Sequence, residues 1–284
     1  MTIAVLGATG GQGGAVAGAL LDQGLPVRGV VRDPGGSRAR ALAARGAEIV
    51  MADLANPDTL AYAFQGTTAA FALTTPFEAG LRAEEEQGMA IIEAALRVEL
   101  PHLVMASVAS ADRRTGIPHF ETKAHTEEVL AASGLPATVV APTYFFHNVF
   151  GELHEIASGV LVLPLDPGTP LQQVSRRDLG RVVAAVIAEP ERWIGRRIEV
   201  AADAPTPAQM AEAIGHAAGW AVEYRQTPLS SLRVASPDMG AMFAFLAETG
   251  FRVDLEALRA EFPRVPWTPF AEWASAQRWS RPLQ

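Results

Sequence analysis

Three glycines near the start of the chain have the spacing of a phosphate-binding loop. Gly7, Gly10 and Gly13 form a G-x-x-G-x-x-G pattern between an apolar run and a helical pattern. In such a position glycines allow a tight turn, a close backbone approach to a pyrophosphate and close helix–strand packing, while free N–H groups at the helix start bind phosphate. A purely structural turn is the alternative. The residues expected to contact a dinucleotide here are Gly7, Thr9, Gly10, Gly11, Gln12 and Gly13.

The residues after the second predicted strand indicate which dinucleotide binds. An acidic side chain about 20 residues after the glycines holds the 2′-hydroxyl of NAD, whereas an arginine there accommodates the 2′-phosphate of NADP. Arg32 continues the strand predicted at 27–31. Asp33 precedes Pro34, and its side chain points elsewhere if the strand is still extended. We therefore favour NADP(H) over NAD(H), with a solvated Arg–Asp turn as the alternative.

Asp53 follows the third predicted strand and has two interpretations. Its carboxylate could accept a hydrogen bond from the adenine amino group of a bound dinucleotide. It could equally cap the helix that is predicted to begin at Pro57. The sequence leaves both interpretations open.

Further polar residues are expected at the carboxyl ends of the predicted strands, where the reactive ring of a dinucleotide lies in a doubly wound sheet. They are Thr74, Thr75 and Pro76, then Ser107, then His119 and Lys123 in the next helix, and finally Pro142 and Tyr144. Lys123 is the only lysine of the chain, and it shares a helical face with His119 if the helix includes both. A cationic lysine there could bond ribose hydroxyls and lower the pKa of a neighbouring acid. The alternative is an ordinary exposed lysine.

Strand and helix patterns alternate along the first half of the chain. The predicted strands are 2–6, 27–31, 48–51, 69–73, 102–107 and 137–141, and the predicted helices are 12–23, 37–45, 57–64, 80–97 and 120–132. Alternation at this pitch predicts right-handed βαβ crossovers and an α/β fold with a doubly wound parallel sheet. Beyond Pro142 the pattern loosens into strands at 160–163, 172–175 and 198–200 and helices at 178–188, 207–218 and 238–262. We predict a dinucleotide-binding domain over 1–150 and a smaller α/β lobe over 151–284 that returns one strand to the sheet.

Composition excludes several classes of protein. The 284 residues contain no cysteine, which excludes disulfide frameworks, thiolate catalysis and metal sites built on Cys. A formal net charge of −8 and the lack of a basic helix argue against nucleic-acid binding. No apolar stretch approaches the roughly 20 residues that span a bilayer, and no secretory-signal pattern precedes the first strand. We therefore expect a cytoplasmic protein with no membrane partner.

Other titratable residues are interpreted as structural. They are His102 and His125, expected to be solvated or internally paired, and the loop-borne group His147, Glu152, His154 and Glu155, which is not expected to hold a metal. The run Glu84, Glu85 and Glu86 is interpreted as the solvated start of the long helix, where acidic side chains suit the helix dipole.

Taken in order, these motifs resemble the NmrA-like family of atypical short-chain dehydrogenases/reductases. The segments that carry the resemblance are GATG at 7–10 with Gly13, VRDP at 31–34, GAEIV at 46–50, DL at 53–54, HFETK at 119–123, APTYFFHN at 141–148, RDLG at 177–180, TPAQM at 206–210, and GF at 250–251 followed by Asp254. The resemblance implies a Rossmann domain, a preference for NADP(H) and a small lobe that closes over the cofactor. It further implies that the three loop glycines cradle phosphate, that Arg32 meets the 2′-phosphate, that Thr75 and Lys123 lie by the nicotinamide ribose, and that Tyr144 borders the ring.

The resemblance also implies two functions of different classes. Some members look like reductases of quinones, dyes or aromatic substrates, while others resemble redox sensors that bind a protein partner. The wider superfamily uses Tyr-x-x-x-Lys with the phenol as acid/base, whereas this chain has His119-x-x-x-Lys123, and none of its three tyrosines has that spacing. The departure argues against alcohol dehydrogenation and sugar epimerisation, because both need the phenolate.

Hydride transfer to a conjugated acceptor needs less acid–base catalysis, because conjugation already stabilises the product anion. Its proton could come from water, His119 or Tyr144, and related isoflavone-reductase-like enzymes make the lysine that corresponds to Lys123 the general base. We therefore predict an NADPH-dependent reductase of a quinone-like or other conjugated small molecule, with Lys123, His119 and Tyr144 as its catalytic residues. The alternative is a non-catalytic NADP(H) sensor that binds a protein partner. A homodimer is left open.

Overall fold

The apolar runs of the sequence form strands, and the amphipathic segments between them form helices. The structure is a computed structural model that describes residues 2–281. Its strands are β1 (Ile3–Leu6), β2 (Val27–Val31), β3 (Glu48–Met51), β4 (Ala69–Ala72), β5 (Leu103–Ala106), β6 (Ala137–Pro142), β7 (Tyr144–Phe145), β8 (Val160–Leu163), β9 (Gln173–Val174), β10 (Arg197–Val200) and β11 (Glu223–Gln226). Its α-helices are α1 (Gly11–Asp22), α2 (Ser37–Ala44), α3 (Pro57–Phe64), α4 (Leu81–Arg97), α5 (Pro118–Ala132), α6 (Leu153–Ala157), α7 (Arg176–Ala188), α8 (Pro190–Trp193), α9 (Pro207–Ala218), α10 (Leu229–Ala235), α11 (Pro237–Glu248), α12 (Leu255–Glu261) and α13 (Phe270–Ser275).

The chain divides into two compact units. Unit 1 comprises the residues up to 114 together with 118–141 and 179–199, and unit 2 comprises 115–117, 142–178 and the residues from 200 onwards. The chain thus leaves unit 1 and returns to it for α7, α8 and β10. The domain boundary predicted between residues 150 and 151 stays a prediction.

Unit 1 is organised around a seven-stranded sheet with the order β10-β6-β5-β4-β1-β2-β3. The strand β1 pairs in parallel with β2 on one side and with β4 on the other, so Ile3 lies between Val27 and Ala69. The pairs β2–β3, β4–β5 and β5–β6 are parallel too. Sequential strands therefore run outward in both directions from β1, which confirms the predicted α/β fold with a doubly wound sheet.

The core of unit 1 explains why its strands read as continuous apolar runs. Every residue of β1, β4 and β5 is buried, because helices cover both faces of a parallel sheet. On one face, Leu60 and Phe64 of α3 and Ile91 of α4 pack against small side chains of the strands. Full burial of one such side chain stabilises the folded state by about 1.5–3 kcal/mol, so the sheet and its helices stabilise one another.

Unit 2 contains shorter elements. Its strands pair in parallel as β8 with β11 and as β7 with β9. The helix α9 begins with a capping box, in which the Thr206 hydroxyl accepts from Gln209 N and the Gln209 side chain accepts from Thr206 N. Phe146 packs edge-on against Phe270, with ring centroids 5.3 Å apart, and Trp273 lies 5.6 Å from Phe146. This aromatic cluster anchors α13.

The single helix predicted over residues 238–262 is wrong. Two helices, α11 and α12, occupy that stretch, because Gly250 adopts a left-handed conformation with φ of +66° between them. Asp254 then caps α12 by accepting a hydrogen bond from Ala257 N at 3.0 Å.

Among the described residues, no helix is both long and apolar enough to cross a lipid bilayer.

A close approach between α7 and α1 yields a stability prediction. A Cβ atom at Gly180 would lie 2.5 Å from the carbonyl oxygen of Ala15, whereas a Cβ at Gly18 would meet only the Arg45 guanidinium at 3.5 Å. We expect Gly180→Ala to lower the free energy of unfolding by about 1–3 kcal/mol through overpacking. The control Gly18→Ala should raise it by up to about 1 kcal/mol, because alanine favours helix. Urea unfolding followed by circular dichroism measures both, and equal losses in the two variants would contradict the packing argument.

Candidate active site

The glycine loop closes the end of β1 onto the start of α1. Gly7 has φ of +61°, and its carbonyl oxygen accepts a hydrogen bond from Gly10 N at 2.8 Å. A Cβ atom at Gly13 would lie 2.4 Å from the carbonyl oxygens of both Leu6 and Gly7, so only glycine permits this contact. The helix begins at Gly11 without a side-chain cap, and its first N–H groups have no intrahelical acceptor. The loop therefore offers a small, positively polarised cradle that fits a phosphate.

Two polar side chains lie at this loop. The Gln12 Oε1 atom is buried and has no hydrogen-bond partner among the described residues. The Arg38 Nη1 atom donates to the Thr9 carbonyl oxygen at 3.2 Å. An orphaned acceptor beside exposed backbone donors fits a polar ligand, since buried acceptors are normally satisfied.

Arg32 presents an ordered guanidinium fork at the end of β2. Its two Nη atoms donate to the Glu78 carboxylate at 2.6 and 3.1 Å, and both side chains are largely exposed, at 73% and 54%. An exposed ion pair of this kind contributes about 0–1 kcal/mol, so another anion can replace Glu78. Asp33 points back into its own turn, where its carboxylate accepts from Gly35 N at 2.9 Å.

Asp53 does not cap the next helix, so that interpretation is wrong. The cap of α3 is Asn56, whose Oδ1 accepts from Asp58 N and Thr59 N. The Asp53 carboxylate instead accepts from Ala55 N at 3.0 Å within its own turn. The role of Asp53 at an adenine ring stays a prediction.

A buried ion pair joins the end of β4 to α4 and α5. Lys123 Nζ lies 2.7 Å from Glu84 Oε1 and donates to the Thr74 carbonyl and hydroxyl oxygens at 2.9 and 2.8 Å. The Thr74 hydroxyl donates to Glu84 Oε1 at 3.1 Å, and the Thr122 hydroxyl donates to Glu84 Oε2 at 2.5 Å. Burial lowers the pKa of Lys123, and the charge of Glu84 opposes this shift.

The expectation that Glu84 belongs to a solvated helix start is wrong, because its side chain is fully buried. Helices α4 and α5 approach so closely that a Cβ at Gly88 would lie 2.6 Å from Thr126 Oγ1, and Glu84 stands one turn earlier on the same face. The sequence did carry a signal. Glu84 shares the spacing i, i+4, i+7 with Gly88 and Ile91, and all three are buried.

The remaining residues predicted near the reactive ring in unit 1 have separate partners. The Ser107 hydroxyl donates to Glu127. The Thr75 backbone N donates to Gln87 Oε1 at 3.1 Å, and Pro76 follows it. His119 is buried in the first turn of α5, four residues before Lys123, with its ring 4.8 Å from that of Phe120. The structure thus joins Thr74 and Lys123 directly, with Glu84 as the member that sequence reasoning missed.

Tyr144 and Pro142 belong to unit 2. The Tyr144 ring lies 6.1 Å from that of Phe243. Burial raises the pKa of Tyr144 to about 12, although a hydrogen bond with Asn148 opposes the shift. At neutral pH its side chain is therefore a phenol that can donate a proton and cannot accept one as a base. Pro142 is buried at the end of β6.

The histidines interpreted as structural lie in different environments. His102 is buried with its Nε2 2.8 Å from Thr138 Oγ1, and burial lowers its pKa to about 4. His125 is exposed. The ring of His147 lies 5.1 Å from that of Trp273, and burial, followed by the charge of Arg176, lowers its pKa to about 4. Within residues 2–281, no three His, Asp or Glu side chains are grouped as a metal site would require.

Known proteins resemble the chain along nearly its whole length. The sequence model of the NmrA-like family matches residues 1–274. The NAD(P)H azoreductase of Xenophilus azovorans is 28% identical over 241 residues, which are 84% of this chain and 81% of that protein. The NADPH-dependent quinone oxidoreductase QOR2 of Escherichia coli, in complex with NADPH, matches with a TM-score of 0.81 and 25% identity over 96% of this chain and 98% of that one. NmrA, a negative transcriptional regulator, matches in fold with a TM-score of 0.80 and 22% identity over 97% of this chain and 94% of that one.

The buried ion pair predicts that Glu84 and Glu86, two residues apart on α4, differ sharply in their contribution to stability. We expect Glu84→Ala to lower the free energy of unfolding by about 3–5 kcal/mol, because it leaves the Lys123 ammonium buried without its counter-ion. Glu86→Ala should change it by less than about 0.5 kcal/mol, because Glu86 is exposed and forms a surface ion pair with Arg82. Chemical denaturation measures both. A small loss for Glu84→Ala would show that the pair does not form.

Proposed function

Since the chain belongs to the NmrA-like family, we propose that it is an NADPH-dependent reductase that transfers hydride to a quinone-like or other conjugated small molecule. The observation that carries the proposal is the cradle between β1 and α1, where Gly13 permits backbone contact that any Cβ would block. The azoreductase and the quinone oxidoreductase support the choice of acceptor, because azo compounds and quinones are both conjugated.

The residues of unit 1 divide the binding of the cofactor among them. The first N–H groups of α1 donate to the pyrophosphate, for which the helix start is polarised, while the buried Gln12 oxygen can accept only from a donor of the cofactor. Arg32 exchanges the Glu78 carboxylate for the 2′-phosphate, which carries more charge and suits a bidentate guanidinium. Thr74, Thr75, Pro76 and Ser107 are proposed contacts toward the nicotinamide end.

The reaction needs one hydride and one proton. Bound NADPH supplies the hydride, and the sum of the reaction is acceptor + NADPH + H⁺ → reduced acceptor + NADP⁺. Lys123 donates a hydrogen bond to the nicotinamide ribose by exchanging one of its present acceptors on Thr74. His119 and Tyr144 are the proposed proton donors, and the pKa of Tyr144, about 12, keeps its phenol protonated over the physiological range.

Steady-state oxidation of NADPH against a panel of quinones and azo compounds tests the proposal. We expect turnover by the wild-type chain and a loss of about 100-fold in kcat for Lys123→Met, with NADPH binding retained. His125→Gln is the matched control, because His125 is an exposed residue of the same helix. Tight NADPH binding with no turnover of any acceptor would contradict a reductase. Capture of a protein partner that depends on the NADP(H) state would then support the sensor function.

Cofactor choice provides a second test. We expect Arg32→Gln to weaken binding of NADPH by about 10- to 100-fold while binding of NADH is unchanged, because only NADPH carries the 2′-phosphate. Arg45→Gln, which removes an arginine paired with Asp22, is the control. Glu78→Gln should strengthen NADPH binding, because it removes the anion that competes for Arg32. Titration calorimetry measures all of these affinities, and an equal loss for both cofactors in Arg32→Gln would exclude the assigned role.

A further inference from the structure

We propose that Glu84 is a positioning residue that keeps Lys123 protonated and fixes its ammonium group at the end of β4, so that Lys123 serves as a hydrogen-bond donor and not as a general base. The hydrogen bond that the ammonium donates to the cofactor rests on the proposed reductase function. The protonation state of Lys123 does not rest on that function, because we infer it from the contacts around Nζ.

The contacts around Lys123 favour an ammonium group. Thr74 donates its single hydroxyl proton to Glu84 Oε1, so its oxygen can only accept from Lys123. The Thr74 carbonyl and the Glu84 carboxylate are acceptors as well. Three acceptors at 2.7–2.9 Å use three N–H groups, whereas a neutral amine has only two and a lone pair.

The Glu84 carboxylate has a further donor on its other side. Glu84 is fully buried, and its Oε2 accepts from the Thr122 hydroxyl at 2.5 Å. Burying an unpaired carboxylate costs several kcal/mol, but a paired one with further donors is tolerated. Thr122 and Lys123 are adjacent on α5, so one short segment supplies two of the three partners of the carboxylate, and the Thr74 hydroxyl is the third.

The other charges near Lys123 are engaged elsewhere. Glu127, one turn later on α5, pairs with Arg197 at 2.8 Å, and Arg197 also contacts Glu199 at 3.0 Å and Asp112 at 3.5 Å. His119, one turn earlier on α5, packs against Phe120. Glu84 is thus the carboxylate that forms an ion pair with Lys123 Nζ. Glu127 adds a weaker favourable charge from farther away.

Removing the charge of Glu84 should therefore lower the pKa of Lys123. Burial already lowers it, and the interaction with Glu84 is the larger of the two opposing carboxylate effects. In a variant without this charge, Lys123 holds its proton less tightly, so the ammonium is deprotonated at a lower pH than in the wild type.

The single lysine makes a direct measurement simple. Full-length protein labelled with ¹³C-lysine gives one side-chain Cε signal, because Lys123 is the only lysine. We expect the titration to show that Lys123 is an ammonium at pH 7.5 in the wild type. In Glu84→Gln the midpoint should lie lower by at least about one pH unit, which is a tenfold loss of proton affinity. Glu86→Gln, an exposed neighbour, should match the wild type.

Equal midpoints in the wild type and Glu84→Gln would overturn the proposal, as would a neutral Lys123 in the wild type at pH 7.5. If Glu84→Gln does not fold, Glu84→Asp takes its place: its shorter side chain holds the charge farther from Nζ, so its midpoint should lie below that of the wild type, and an equal midpoint would overturn the proposal. Glu84→Asp, which keeps the charge, should restore the wild-type midpoint in part.

Turnover gives an independent readout. If Lys123 works as an ammonium, kcat/KM for NADPH and a quinone falls as pH rises through its midpoint, and this alkaline limb moves to lower pH in Glu84→Gln. A general base would give the opposite slope, with activity rising through the midpoint. If no acceptor is turned over, the proposed function fails while the titration still decides the role of Glu84.

Discussion

The pairing of β1 with β2 on one side and β4 on the other is the constraint on which the rest of unit 1 depends. Two parallel strands that lead into connections on opposite sides leave a crevice between their carboxyl ends. The glycine loop follows β1, and Thr74 follows β4. The phosphate cradle and the Lys123–Glu84 pair are therefore consequences of one strand order. Each also depends on close helix packing at a glycine: α1 packs at Gly13 against backbone, and α4 packs at Gly88 against the Thr126 side chain.

The buried ion pair also explains why a lysine stands at position 123 in a chain whose 22 other basic residues are arginines. An ammonium is a compact charge with three donors that diverge, and here three acceptors surround it at 2.7–2.9 Å. A planar guanidinium is larger and presents its donors in one plane, which suits the exposed, bidentate partner of Arg32 and not this site. The two residue types thus occupy sites of different geometry in unit 1.

The parts of the structure that local sequence determines were predictable. Strands buried on both faces appear in the sequence as apolar runs, and the spacing of Gly7, Gly10 and Gly13 predicts the tight turn that they form. Glu84 was missed because its burial depends on how α4 faces α5, and a glutamate in a first turn is more often solvated. The strand β11 was missed because its residues are polar and mostly exposed, so its pairing with β8 leaves no apolar alternation. In each case a tertiary contact outweighs the local pattern.

The protonation states of the site residues indicate which type of reaction they can support. Oxidation of an alcohol needs a group that takes a proton away, and in the wider superfamily a phenolate does so. Here the position four residues before Lys123 holds a histidine, and the pKa of Tyr144 is raised to about 12, so that phenol keeps its proton. The ammonium state proposed for Lys123 leaves it without a lone pair, and three acceptors lie within 2.9 Å of its Nζ. Groups that donate protons match a reaction that adds hydride to an acceptor and then protonates the product, because the overall reaction consumes one proton and releases none.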